Sequence, residues 1–410
     1  MNILYLDATR GLFGASRMML TLVENLDRGK VSPYVILAND INDGDLRLTK
    51  ALRSARIPTL EYRLAVLRRS KYLNPRGILF MGAALVDSTM LVARLIRKYR
   101  ITIVQSNTST VLTGALASKL TGVPHIWHVH EIFRPSDARL FPPLLDNFST
   151  RVVTVSDEAA RSLTGYRPSL ADKLTVIKNG VDPTPFRNVS PESVERLRSE
   201  FGLGPENKVV GMVGRIGMGK GEENFLQMAR LVSQQIEGVK FLVAGGTFDN
   251  RDYLLDALRA RADSLGLAGN VIVTGRRTDM PEIMNLLDLL VQLPDRAESF
   301  GLAAAEAMAA GKPAVVWTMG GLSEVVCDFE TGYHVSPGDI GGATERVVEL
   351  LTNDRLRKHM GKAASRRVDR EFSVSRYVTQ FQELYDVIAR QRPPTTNPWP
   401  STPYTVRSTQ

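Results

Sequence analysis

Two stretches of this chain begin in the same way. Residues 2–6 (NILYL) form a short apolar run, followed by Gly11-Leu-Phe-Gly14 and a helical pattern from Arg17 to Leu26. Residues 209–213 (VVGMV) form another, followed by a glycine-rich turn from Gly214 to Gly221 and a helical pattern from Glu223 to Gln235. A strand, a glycine-rich turn and a helix, in that order, open a doubly wound α/β domain. Further apolar runs read as buried strands: 33–38, 102–105, 125–129 and 152–155, then 240–244, 271–274, 289–293 and 314–317. They alternate with longer amphipathic stretches such as 87–100, which argues for parallel sheets covered by helices.

A chain of 410 residues is too long for one core of this kind, so two domains are expected. The boundary falls at Asn179-Gly-Val-Asp-Pro-Thr-Pro-Phe186, where Asn-Gly and two prolines punctuate the chain. This gives an N-terminal Rossmann-like domain at 1–185, a second at 186–373, and a cleft between them. The last helical pattern, about 374–390, is placed to pack back on the first domain. Residues 391–410 carry five prolines among Ser, Thr and Asn and read as a disordered tail.

Composition narrows the function. No uncharged apolar run approaches the length of a membrane-spanning helix. The single cysteine, Cys327, allows no internal disulfide and no cysteine-based metal site. A cytoplasmic location is expected. The net charge of +9 is unevenly spread: residues 1–187 hold 26 Lys and Arg against 15 Asp and Glu, leaving 26 against 28 to the rest. Residues 47–100 alone hold 13 basic residues against Glu61 and Asp87. Such a face attracts an anionic partner. No aromatic platform or zinc-finger spacing accompanies it, so nucleic acid is not expected.

The most informative segment runs from Leu293 to Pro313. An apolar strand ends at Leu293, a loop carries Glu298, and an Ala-rich helix starts near Phe300–Gly301 and stops at Gly311 before Pro313. Glu298 and Glu306 therefore flank a helix start at the C-terminal end of a parallel strand, where open α/β sheets bind ligands. The backbone at Ser299, Phe300, Gly301 and Leu302 offers N–H groups to an anion. The carboxylate of Glu306 suits a ribose diol. The turn from Gly214 nearly spells a P-loop, with Lys220 in register, but Gly221 stands where Ser or Thr is needed for magnesium. Arg215 and Lys220 remain as two cations suited to a diphosphate.

These segments resemble the signature of the retaining glycosyltransferases of family 4, which have the GT-B fold: two Rossmann-like, doubly wound domains with an interdomain cleft. Glu298 and Glu306 match its paired glutamates, with Ala307-Met-Ala-Ala-Gly-Lys-Pro313 following. Arg215 and Lys220 match its diphosphate-binding cations. Gly320-Gly321 with Glu324, and Thr331–Asp339, match its later segments, and Asn179–Asp182 its hinge. In the first domain, Gly11-Leu-Phe-Gly14 resembles its glycine-rich loop, and His130-Glu131 its His-acidic pair. The loop departs from the family in continuing Ala15-Ser16-Arg17, and Asp295 stands where relatives often have Ser.

The resemblance implies transfer of a sugar from a nucleoside-diphosphate sugar, needing no metal or other cofactor. It assigns Arg215, Lys220, Glu298 and His130 to catalysis. Gly14, Gly214, Ser299–Leu302 and Glu306 would bind the donor, with the base along backbone near Gly275-Arg276. Glu324 would support the diphosphate or base indirectly. His130 would donate to a sugar hydroxyl or the leaving phosphate; His125 and His334 receive no role. Ser106 and Asn107, with Glu131, are acceptor-side candidates. Asp43-Gly-Asp45 superficially matches the Asp-x-Asp metal motif of the other glycosyltransferase fold and is rejected as a metal site. The acceptor is expected to be a glycan or lipid-linked saccharide. Arg63, Arg68, Arg69, Lys71, Arg94, Arg97, Lys98 and Arg100 would meet an anionic membrane surface or a diphosphate-linked lipid, at the inner membrane face. Two rivals are a sugar-nucleotide epimerase of the same fold and a non-catalytic sugar- or lipid-binding partner.

Overall fold

The computed structural model describes residues 1–40, 45–68, 75–217, 219–247 and 251–391, with backbone alone for 75–79. The tail expected at 391–410 thus lies, beyond Gln391, outside the described residues. The first sheet has seven parallel strands: β1 (Asn2–Asp7), β2 (Ser32–Ala38), β3 (Thr59–Tyr62), β4 (Ile103–Asn107), β5 (His125–Val129), β6 (Arg151–Thr154) and β7 (Leu174–Val176). Their spatial order is β3-β2-β1-β4-β5-β6-β7. The second has six: β8 (Val209–Val213), β9 (Lys240–Ala244), β10 (Val271–Gly275), β11 (Leu289–Gln292), β12 (Ala314–Trp317) and β13 (Gly332–Val335), ordered β10-β9-β8-β11-β12-β13. In each sheet the winding direction reverses beside the first strand, between β1 and β4 and between β8 and β11. That reversal opens a crevice at the carboxyl ends of the strands.

The central strands are the ones the apolar runs indicate, because both of their faces are buried. β1, β4, β5, β8 and β11 are buried along almost their whole length. Three strands were not expected: β3, β7 and β13. Each is three or four residues long and lies at a sheet edge, with one side unpaired and no long apolar run to mark it. The predicted helix at 87–100 is longer and earlier, Pro75–Lys98; its first turns carry few polar residues and so show no amphipathic pattern.

The chain crosses between domains twice, at neighbouring points. The amide of Val181 donates to the carbonyl of Phe372 at 2.7 Å, and Val181 bridges Ser373. A side chain at Gly180 would come within 2.9 Å of the Tyr377 side chain. Beyond this crossing, the helix Val374–Arg390 packs on the first domain through Tyr377, Phe381, Tyr385 and Ile388. Its Tyr385 hydroxyl donates to Gln105 at 2.6 Å and accepts from the Tyr5 hydroxyl at 3.0 Å. The closing helix is therefore part of the first domain's core. Phe381 is fully buried against Tyr377, Tyr385 and His128. Phe381→Ala is expected to lower stability by about 3–5 kcal/mol, read as a shifted urea midpoint at unchanged slope.

Candidate active site

The second-domain half of the site is built by backbones in close approach. Gly221 has φ of +84°, and a Cβ there would lie 1.7 Å from the Leu293 carbonyl oxygen. The Ser or Thr of a P-loop has no room at this position, so the turn cannot act as one. Gly320, with φ of +69°, bridges Glu298, and a Cβ there would lie 2.2 Å from its carbonyl oxygen. Gly321 donates its N–H to that oxygen at 2.7 Å. The loop carrying Glu298 is thus clamped between two glycine-containing turns, and the family-like Gly320-Gly321 pair has a steric cause.

On this frame Lys220 is ion-paired with Glu298. The Lys220 stem lies over Gly214, whose absent side chain leaves it room. Arg215 extends to the first domain and stacks its guanidinium 4.4 Å from the centre of the Phe13 ring. Ser299 is half-buried and precedes Phe300, whose ring packs into the core against Phe372. Phe300 therefore has only its backbone to offer a ligand. Gly301 begins the helix Leu302–Ala309 with φ of +103°. Leu302 packs against hydrophobic cores of both domains and stands opposite Gly14, where a Cβ would sit 3.6 Å from its methyl group.

Glu306 is 6% exposed on that helix, and its partner is Arg17 of the first domain. Burial raises its pKa while Arg17 lowers it. The Arg17 partnership was not anticipated. Its sequence signal was the continuation Ala15-Ser16-Arg17, which sets a cation just after the glycine-rich loop. Gly275 has φ of +69°, and the neighbouring Arg276 is 4.0 Å from Asp45. Asp45 also holds Arg47 at 2.8 Å, which fixes it in ion pairs; Asp43 lies outside the described residues. No group of three His, Cys, Asp or Glu among the described residues is arranged to hold a metal ion.

In the first domain, His130 follows β5 and hydrogen-bonds through Nε2 to Asn107 Oδ1 at 3.0 Å. Asn107 in turn donates to the buried Asp7 at 2.6 Å. Burial holds the His130 pKa down at about 3, so its ring stays neutral. Burial likewise pushes Asp7 up to about 6 and Glu131 up to about 7. Glu131 accepts the His130 backbone N–H. The segment reaches the second domain at Ile132, whose side chain lies beside Gly320. His128 shares the face of His130, at 4.0 Å between ring centres, and is fully buried against Phe381.

One expectation is corrected. Ser106 does not face the cleft. Alternation along β4 turns Asn107 toward Asp7 and sends Ser106 to the opposite face, where it bonds His125 at 2.9 Å beneath Gly114. Glu324, expected to act on the diphosphate or base only indirectly, faces the first domain. It accepts the N–H groups of Asp157 and Glu158 at 3.0 and 2.8 Å, capping a first-domain helix across the interface, with Lys178 at 3.2 Å.

Of the basic stretch, Arg94, Arg97, Lys98 and Arg100 are exposed at the end of the helix Pro75–Lys98 and just beyond it. Arg63 lies over the Phe80 ring at 3.6 Å. Arg68 is turned inward onto Asp40 at 2.8 Å, so it is not surface charge; Arg69 and Lys71 lie outside the described residues. No helix among the described residues is long and apolar enough to cross a membrane.

Comparison with known proteins places the chain in a family. The family described as "Glycosyltransferase Family 4" matches residues 14–184, and "Glycosyl transferases group 1" matches 193–367. A D-inositol 3-phosphate glycosyltransferase of Mycobacterium marinum is 33% identical over 257 residues, covering 59% of this chain and 53% of the relative. The Mycobacterium bovis protein of that name is 32% identical over 274 residues, covering 62% and 55%. The chain thus spans about half the length of these curated relatives. Among solved structures, Anabaena HepE in complex with UDP-glucose superposes with a TM-score of 0.79 at 23% identity, covering 94% of this chain and all of that one. A glycosyltransferase from Rickettsia africae gives 0.80 at 20%, covering 95% and 99%. At these identities the structures speak to the fold, which is GT-B. With one family profile on each domain, the chain belongs to the family 4 glycosyltransferases.

Proposed function

We propose that this protein transfers a sugar, with retention of configuration, from a nucleoside-diphosphate sugar to a hydroxyl of a glycan or lipid-linked saccharide. The acceptor reading fits synthesis of cell-surface polysaccharide or glycolipid. One arrangement carries the proposal: Lys220 pairs with Glu298 just before the helix that bears Glu306, while Arg215, Leu302 and Glu306 meet Phe13, Gly14 and Arg17 of the opposite domain. The family relationship and the UDP-glucose held by HepE support a nucleotide-sugar donor.

Transfer breaks the bond between the anomeric carbon and the diphosphate oxygen and forms one to the acceptor oxygen. Negative charge grows on the diphosphate and positive charge on the anomeric carbon. Arg215, Lys220 and the N–H groups at Ser299–Leu302 meet the first of these charges, so protein cations do the work a metal ion would otherwise do. Glu298 holds sugar hydroxyls. The ribose diol competes with Arg17 for Glu306, so nucleotide and domain apposition act through one carboxylate. Retention follows from attack on the same face within an ion pair. Closure of the cleft keeps water from the donor.

Lys220→Ala is expected to lower turnover of a nucleotide sugar by about 10²–10³ with circular dichroism unchanged. Unchanged turnover in both this variant and Glu306→Ala would overturn the site assignment. A thermal-shift screen over UDP-, GDP-, ADP- and TDP-sugars selects the donor. A ligand at about 100 times its Kd adds about 2.7 kcal/mol of stability. Product analysis with donor alone separates a transferase from an epimerase, which would isomerise the sugar without acceptor.

The exposed cations of the first domain favour an anionic membrane face. The helix Pro75–Lys98 presents Phe80, Val86 and Met90 to solvent, Val86 at 67% exposure, in line with Arg94 and Arg97. Apolar insertion and charge attraction then act from one helix surface. Co-sedimentation with anionic vesicles at low salt is expected, and it falls at high salt and in Arg94→Glu/Arg97→Glu. Equal partitioning onto neutral vesicles would overturn the electrostatic part.

A further inference from the structure

The buried carboxylate of Asp7 has no part in the chemistry above, yet it lies two hydrogen bonds from His130. It sits at the end of β1, at the point where the first sheet reverses, and is fully buried. Three groups donate to it: the Thr9 N–H at 3.0 Å and the Ser16 hydroxyl at 3.0 Å on Oδ1, and the Asn107 amide at 2.6 Å on Oδ2. An ionised carboxylate only accepts hydrogen bonds. It therefore requires that Asn107 turn its NH₂ toward Asp7. The amide oxygen of Asn107 must then face the other way, where it meets His130 Nε2 at 3.0 Å. A carbonyl oxygen only accepts, so Nε2 must carry the proton. In a neutral imidazole that leaves Nδ1 unprotonated.

We propose that Asp7 is a positioning residue: acting through Asn107, it fixes His130 as the Nε2-protonated tautomer, with Nδ1 as an acceptor for a substrate hydroxyl. The consequence for substrate rests on the transferase reading above; the relay itself does not. It reverses one expectation from the sequence, because a ring so held cannot donate from Nδ1 to a hydroxyl or a leaving phosphate. Two further observations agree. Burial keeps His130 neutral, and Asp7 is ionised above about pH 6, where its carboxylate can only accept. Ser16 lies in the helix Gly14–Asn25 that also carries Arg17. The same carboxylate thus ties the His130 relay to the helix whose Arg17 faces the second domain.

The test is the tautomer, read by long-range ¹H–¹⁵N correlation on protein labelled at its five histidines, with His130→Asn to assign the signal. The wild type is expected to show Nε2 protonated and Nδ1 bare at His130. In Asp7→Asn the Asn107 amide is free to turn over, and an Nδ1-protonated population appears. The kcat for sugar transfer then falls about tenfold while the donor KM stays within about twofold. The double variant Asp7→Asn/Asn107→Asp restores a carboxylate acceptor beside Nε2 and with it the single tautomer. Should Asp7→Asn fail to fold, Asn107→Ala cuts the same relay and is read in the same way. An Nδ1-protonated His130 in the wild type overturns the proposal, and so does an unchanged single tautomer in the folded variants. Absence of turnover with every nucleotide sugar would sink the transferase reading instead, while the nitrogen shifts still decide the relay.

Discussion

A carboxylate almost removed from water must find a cation, and at Glu306 that cation comes from the other domain. An isolated buried charge is costly, and the ion pair with Arg17 offsets that cost. The helix bearing Glu306 is otherwise apolar, lined by alanines that let it lie close to β11 and β12. The pair therefore makes the apposition of the domains a condition for burying this helix's one charged side chain comfortably. Around it, Leu302 meets Gly14, Arg215 meets Phe13, and Glu324 caps a helix of the first domain. Each contact joins a second-domain segment to a first-domain segment just past the carboxyl end of a strand.

Much of this was legible in the residues. Long buried strands announce themselves by unbroken apolar runs, and glycines beside them mark where backbones must touch. Glu298, Glu306, Arg215 and Lys220 stand out by their places at strand ends and by the resemblance to the family 4 glycosyltransferases. What stayed hidden depends on pairings across the chain. Arg17 and Glu306 are 289 residues apart, and Tyr385 and Gln105 are 280 apart. Ser106 was misjudged because a two-residue alternation was not applied to a strand end. The cap that Glu324 supplies to a helix of the other domain leaves no local pattern. The short edge strands had neither length nor alternation to show.

The basic excess of the first half also divides on inspection. Part of it is consumed internally, as Arg10 with Glu61, Arg47 with Asp45 and Arg68 with Asp40. Those pairs brace the loops near the ends of β1 and β2. The remainder is exposed at scattered points, Arg28, Lys30, Lys50, Lys119 and Arg139 among them, with Arg94, Arg97, Lys98 and Arg100 grouped at one helix end. A count of charges therefore overstates the surface field, and only the coordinates separate the bracing cations from the solvated ones.

The adjacency of Val181 and Ser373 has a mechanical consequence. Two strands of chain pass between the lobes side by side and are stitched by a hydrogen bond. A single connecting strand would let one lobe twist and slide freely against the other. A two-ply strap resists twisting and leaves bending as the soft motion. Because the strap lies at one margin, a few degrees of bend there sweep the opposite rim through a much longer arc, as with a book opened at its spine. The residues on that rim, rather than those at the strap, feel the largest change in spacing.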